Sequence, residues 1–284
     1  MGIWHRIVGG GDETIERARR PQAAAGALAT PPKQGLDWLG REPTADAPLL
    51  YRILLWLAHL VLFRLCRLRL RVRGREHLPD RGAIAMIALH RSWIDPLVVA
   101  EALPLEPRVW FLGSGVTAFD RPWKERLLRR TGGLLPVWRG GSDVDVHVRA
   151  AHAVVRHGGV LALFAEGRIG GPPDAPASMR SGAGLLCLRT GAPIVPIAVT
   201  GTDELYRGRR LRVDVLPATS PQELLGPRWQ GPPEPGSREE LRMARALTAA
   251  VSAQLAPVIA RSYPETVDPP SAPRRWRRLT RLMR

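Results

Sequence analysis

His90 and Asp95 stand five positions apart in AIAMIALHRSWID, residues 83–95. Imidazole can take up a proton near neutral pH, and a carboxylate beside it fixes the tautomer and supports the cation. That is the equipment a base needs to act on a hydroxyl. The spacing recurs by chance too often to decide anything by itself. Asp95 also has a sufficient structural job. Pro96 and the apolar run Leu97, Val98, Val99 and Ala100 follow it, so it reads as the N-cap of a helix with proline at the first position. A lone His90 could equally bond a backbone carbonyl. The apolar run before His90 is short enough for a buried strand. His90 is thus predicted to leave a strand and Asp95 to enter a helix, with a tight loop holding the two within hydrogen-bond reach.

Two further positions share this setting. Arg139 follows the short apolar run 134–138 and precedes Gly140 and Gly141. A guanidinium held there could grip a phosphate with two parallel hydrogen bonds and so fix a neighbouring hydroxyl relative to the base. Glu166, with Gly167 beside it, follows the apolar run 160–164. In α/β sheets, sites form where successive strands end in loops at one edge. A base with its carboxylate, a phosphate-grade cation and a glycine-flanked acid at three strand ends are more specific together than apart.

Those loops need a scaffold, and the pattern supplies one. Strands are predicted at 68–73, 83–89, 108–112, 134–138, 160–164 and 194–199, with an alternating, edge-like strand at 211–215. Helices are predicted from Asp95, over 120–130, from a Ser142/Asp145 capping box to Gly158, over 181–190, and from Ser237 with Glu240 to about Arg261. This alternation predicts an α/β fold, a single mixed and mostly parallel sheet flanked by helices. Residues 1–47, rich in Gly, Pro, Ala and charge, read as a disordered leader. Residues 48–66 read as an amphipathic, interfacial helix whose uninterrupted apolar part, 53–63, is too short to span a bilayer. Tyr51 and Trp56 would anchor it and Arg52, Arg64 and Arg67 would face headgroups; packing on the domain as an ordinary helix is the alternative. Residues 67–263 form the domain and 264–284 a basic tail, with six arginines in RRWRRLTRLMR.

The formal charge is +16, and of 42 Lys+Arg only Lys33 and Lys124 are lysines. So arginine-rich a chain suits anionic partners, whether a phospholipid surface, a phosphorylated substrate or nucleic acid, although biased codon usage also favours arginine. Cys66 and Cys187 sit in apolar runs and read as core residues, neither a disulfide framework nor a metal site. The N-terminus MGIWHR has neither a secretory apolar region nor a myristoylation signal, so a cytoplasmic location is expected.

The motifs resemble a family. HRSWID resembles the H-x4-D motif of the glycerolipid acyltransferases, enzymes similar to 1-acylglycerol-3-phosphate acyltransferase. GLLPVWR (133–139), FAEG (164–167) and IVPIAV (194–199) resemble its second, third and fourth blocks, in order, with VRGREHLP (72–79) and 180–184 similar to its connecting pieces. The resemblance covers roughly residues 70–215. It implies the glycerol-3-phosphate acyltransferase-like fold, with His90 as general base, Asp95 orienting it, and acyl-CoA or acyl carrier protein as co-substrate. No cofactor or metal is implied. It implies that Arg139 binds the phosphate of a lysophospholipid acceptor, that Gly133, Glu166 and Gly167 belong to the acceptor site, and that Pro196 lies in the acyl-binding region. Two departures stand out. Ala165 replaces a usual proline, and Arg168-Ile169 stands where the family often has Thr-Arg, so Arg168 either substitutes for the displaced arginine or marks a different acceptor. The implied location is peripheral, on the cytoplasmic side of the cell membrane.

Two other readings compete. A catalytically silent lipid-surface binding protein on the same fold is disfavoured by the intact His90 and Asp95. A nucleic-acid binder is suggested by charge alone, and with no stacking motif evident, nucleic acid is not an expected partner.

Overall fold

The computed structural model describes residues 42–115, 121–137 and 144–268. The expectations for residues 1–41, for Arg139, for the Ser142 cap and for the basic tail beyond residue 268 lie outside the described residues. The elements are α1 (Leu49–His59, continued by a π-helical turn, Leu60–Leu65), β1 (Arg69–Arg73), β2 (Ala83–Ala88), α2 (Asp95–Ala102), β3 (Val109–Ser114), α3 (Pro122–Thr131) and β4 (Leu134–Val137). They continue with α4 (Val144–Arg156), β5 (Val160–Phe164), α5 (Ser181–Thr190), β6 (Ile194–Thr200), β7 (Arg210–Val215), α6 (Pro221–Leu225) and α7 (Arg238–Thr266).

The seven strands form one sheet in the order β1-β7-β6-β2-β5-β3-β4. Only the β6–β7 pairing is antiparallel. Strands β2 and β6 are buried along their whole length because helices cover both faces, which is why their sequences are unbroken apolar runs. On one face α4, α5 and α7 pack through residues such as Ala151, Leu185, Leu247 and Val251. On the other, α2 and the end of the N-terminal helix pack through Val98, Val99, Leu62 and Cys66. Both cysteines are free and buried, as their apolar settings imply.

Three expectations need correcting. β7 is not an edge strand: it lies between β1 and β6. Its alternation reflects a polar face, Arg212 and Asp214, that is covered rather than solvated. Their side chains bond each other at 2.8–3.0 Å, and α7 closes over them with Ser262 and Glu265. Residues 42–47 are not a detached leader. The Ala45 carbonyl accepts from Arg108 N at 2.7 Å, the Thr44 carbonyl from Trp110 Nε1 at 3.0 Å, and Ala47 is buried. The last helix runs past residue 263 to Thr266, because Arg212 and Arg210 hold Glu265 and Asp268 at its end.

α1 buries none of its residues. Its inner edge is tied to the domain by His59 Nδ1 to Glu101 at 2.9 Å and by the Arg52–Glu106 pair. Arg52 therefore turns to the domain, not outward to headgroups as the sequence suggested. Leu49, Ile53, Trp56, Leu57, Leu60 and Val61 form the opposite, exposed stripe.

Candidate active site

Strands β2 to β6 run in one direction and β1 and β7 in the other, so the loops after β2 and β5 open at the same edge. His90 lies just past the end of β2. Its Nδ1 is 2.8 Å from Asp95 Oδ2, and its side chain is 16% exposed whereas the carboxylate is wholly buried. An ionised carboxylate only accepts hydrogen bonds, so Nδ1–H donates and the lone pair remains on Nε2. The same Oδ2 accepts from Arg91 N and Ser92 N, each at 2.8 Å. One oxygen thus organises the whole loop. The expected N-cap is not seen: Asp95 is itself the first helical residue, after Ile94, and its carboxylate faces back to the preceding loop rather than forward to the helix amides. Asp95 Oδ1 is buried with no hydrogen-bond partner among the described residues. The imidazole is also clamped from its face, stacked on Phe164 at 4.0 Å between centroids and 15° between planes. Hydrogen bond and stack together leave the ring one orientation.

Glu166 is buried as well. Its carboxylate pairs with Arg91 and accepts from Leu89 N at 3.1 Å and Ala177 N at 2.9 Å. It is therefore fully engaged in holding loops, and not turned out to an acceptor. Leu89 has φ 67°, the left-handed region that branched, bulky residues avoid. Glu166 fixes that amide, so the acid sets the angle at which the chain enters His90. Arg91 in turn reaches across the loop after β5, donating to Pro172 O at 2.9 Å, Gly170 O at 2.7 Å and Ala175 O at 3.1 Å, while Gly170 N donates to His90 O at 2.8 Å.

Arg91 and Phe164 escaped the sequence reading. A buried acid at the end of an apolar strand does ask for a cation, and Arg91 beside His90 was the nearest in kind, but 75 positions separate them. The face-on stack had no sequence signal beyond an aromatic closing β5.

The other site expectations fall in different places. Gly167, with φ 67°, and Arg168 are exposed on the loop after β5. Gly133 lies at the start of β4, where a Cβ would come 3.3 Å from Tyr51 and 3.4 Å from Arg108. The strand registers put it about six residues, roughly 20 Å, below the level of His90. Its work is to let β4 begin tightly against Arg108, which is stacked between Tyr51 and Trp110. Pro196 is buried in the middle of β6, opposite Met86, and its carbonyl accepts from Leu216 N at 2.9 Å. Among the described residues no group of three His, Cys, Asp or Glu is placed to hold a metal ion.

Residues 69–200, which span both loops and all strands but β7, match the model of the Acyltransferase family. That part of the chain is an acyltransferase domain. Of solved structures, this acyltransferase is similar to that of the 1-acyl-sn-glycerophosphate (LPA) acyltransferase PlsC from Thermotoga maritima, with a TM-score of 0.54 and 17% identity, over 75% of this chain and 79% of that one. At that identity the likeness is one of fold. Comparison with curated proteins finds no match.

Proposed function

We propose that this acyltransferase moves a fatty acyl group from a thioester donor, acyl-CoA or acyl carrier protein, to the free hydroxyl of a lysophospholipid-type acceptor such as 1-acylglycerol 3-phosphate, with His90 as general base. The observation that carries this is the His90–Asp95 contact at 2.8 Å, with Nε2 left for substrate. Nε2 takes the proton as the acceptor oxygen attacks the thioester carbonyl, and Asp95 stabilises the imidazolium. The tetrahedral intermediate then collapses, the C–S bond breaks, and the departing sulfur takes that proton to leave as a thiol. No covalent enzyme intermediate is needed.

Arg139 is the proposed reader of the acceptor's phosphate. Replacing it by alanine should raise the acceptor KM with the donor KM nearly unchanged, and Arg139→Lys should recover only part, since the fork is lost. Arg168→Ala is the comparison: a similar acceptor-selective loss makes it the stand-in for the family's arginine. The proposed location is peripheral, on the cytoplasmic side of the cell membrane, and the exposed stripe of α1 supports a seat on a phospholipid surface. The test is a donor-by-acceptor activity matrix with glycerol 3-phosphate, lysophosphatidate and other lysolipids. No transfer from either donor to any of them would sink the reading. A best acceptor without phosphate would remove the role given to Arg139.

A further inference from the structure

Twelve large apolar side chains are exposed among the described residues, and seven of them belong to the N-terminal helix, residues 49–65. Single exposed apolar residues are ordinary on any surface, but the other five are not scattered. Trp93, 48% exposed between the buried Ser92 and Ile94, stands in the loop after β2, and Ile169, 54% exposed, in the loop after β5. Trp123, 60% exposed, is in the first turn of α3. The last turn of that helix is held at the start of β3, where Arg108 donates to the Thr131 carbonyl, so Trp123 lies toward the other edge, where β3 ends. Val267 follows Thr266, which comes so close to Gly201, just past β6, that a Cβ there would sit 3.0 Å from the Thr266 Cβ. These four share the edge of the sheet that carries His90. Leu105, between α2 and β3, is at the opposite edge.

The exposed stripe of the N-terminal helix arrives at the same edge. Tyr51, near its start, stacks on Arg108 at the start of β3, whereas the Cys66 carbonyl, just past its end, accepts from Gly208 N in the loop that joins β6 to β7. The helix therefore climbs from one edge to the other, and its last exposed apolar residue, Leu65, stands at the edge of the base. Exposed arginines flank these side chains. Arg168 precedes Ile169, Arg121 opens α3 ahead of Trp123, and Arg67 and Arg69 follow Leu65. Of the exposed carboxylates on the same segments, Glu265 is held by Arg212, and Asp174 lies in the loop of Ile169. Tryptophan and branched aliphatic side chains interleaved with arginine suit the boundary between lipid headgroups and acyl chains.

We infer that the edge of the sheet around His90 is itself a docking surface for an anionic phospholipid bilayer, entered by Trp93, Ile169 and Trp123, with Leu65 joining it to the helix stripe. The proposal rests on the lysophospholipid reading, since an acceptor of that class already resides in such a surface. A seat on the helix alone would need no apolar side chains on the loops after β2 and β5. Seated on this edge, the base faces the lipid, and an acceptor hydroxyl reaches it without crossing water.

Site-specific labelling of the full chain tests it. Trp93→Cys, Ile169→Cys, Leu65→Cys and, as control from the opposite edge, Leu105→Cys each receive an environment-sensitive fluorophore, with the parent as blank because both native cysteines are buried. Phosphatidylglycerol vesicles should shift the emission of the first three to the blue and leave the fourth unchanged, and phosphatidylcholine vesicles should do much less. Trp93→Ser/Ile169→Ser, with a melting curve as fold control, should bind the anionic vesicles about tenfold or more weakly, because binding follows the apolar area buried. A shift at residue 65 without one at 93 and 169 seats the protein on the helix alone and overturns the proposal. Unchanged vesicle affinity in the double variant, equal responses to both vesicles, or no binding by the parent also overturns it. Activity separates the surface from the reaction: with lysophosphatidate as acceptor, the double variant should keep the parent's rate in detergent solution and show a raised acceptor KM on vesicles. Insertion of the edge without transfer by the parent keeps the surface and sinks the reaction. Transfer from vesicles with a KM indifferent to the double substitution does the reverse.

Discussion

His90→Ala removes the base without touching the core, and acyl transfer should fall about 100- to 10,000-fold while thermal stability stays close to that of the parent. Steady-state rates beside a melting curve check this; normal turnover by a folded variant would end the proposed chemistry. Asp95→Asn is a different experiment. Its amide oxygen can still accept from the loop amides, but the NH2 group then occupies the position of Oδ1, which has no partner among the described residues. A neutral amide also no longer supports the imidazolium, so kcat should drop with little change in either KM. Glu166→Gln separates placement from chemistry, because breaking a buried ion pair of this kind costs about 3–5 kcal/mol of stability. Chemical denaturation reads that loss; a variant as stable as the parent would mean that the Arg91–Glu166 pair does not hold the loops. At this scale the sequence was half legible. His90 and Asp95 could be paired because five positions of one loop separate them. Arg91 and Glu166 could not, because the pair exists only once β2 and β5 lie side by side.

At the scale of elements, unbroken apolar runs at β2, β5 and β6 were readable because helices cover both faces. β7 was misread for a reason the fold makes plain: Arg212 and Asp214 neutralise each other beneath α7, and an alternating strand looks the same whether its polar face meets water or its own partners. The end of α7 carries a testable consequence. The hydrogen bond from Arg212 holds the Glu265 carboxyl below the ordinary carboxylate range. A folded-state value below the unfolded one contributes stability that is present above the unfolded value and is lost as pH falls through the folded one. Amide exchange at residues 262–268 should therefore quicken in that acidic window before exchange in β2 does. Protection that persists unchanged through it would show that the ion pair does not secure the helix end.

For the molecule as a whole, surface chemistry is distributed by face. The α1 stripe is apolar, with Trp56 61% exposed, while the helix's far end supplies Leu62 and Cys66 to the core. Deleting residues 49–66 would consequently damage the domain as well as any surface it seats on. The double substitution Trp56→Ser/Leu60→Ser avoids this, and should weaken sedimentation with anionic phospholipid vesicles while leaving the melting temperature nearly unchanged. Undiminished sedimentation would move the seat elsewhere on the molecule.

The segment from Ala165 to Arg180 has no helix or strand, yet Arg91 fastens it at Gly170, Pro172 and Ala175. An exposed stretch of that length with a basic residue, Arg168, would ordinarily be trypsin's first target. Here the bond after Arg168 can be cut only when the fastening lets go, and the same fastening positions His90. The rate of that single cleavage is therefore a clock for how often the loops around the base come apart. It needs no substrate and no knowledge of what the substrate is, and it should run faster in Glu166→Gln than in His90→Ala.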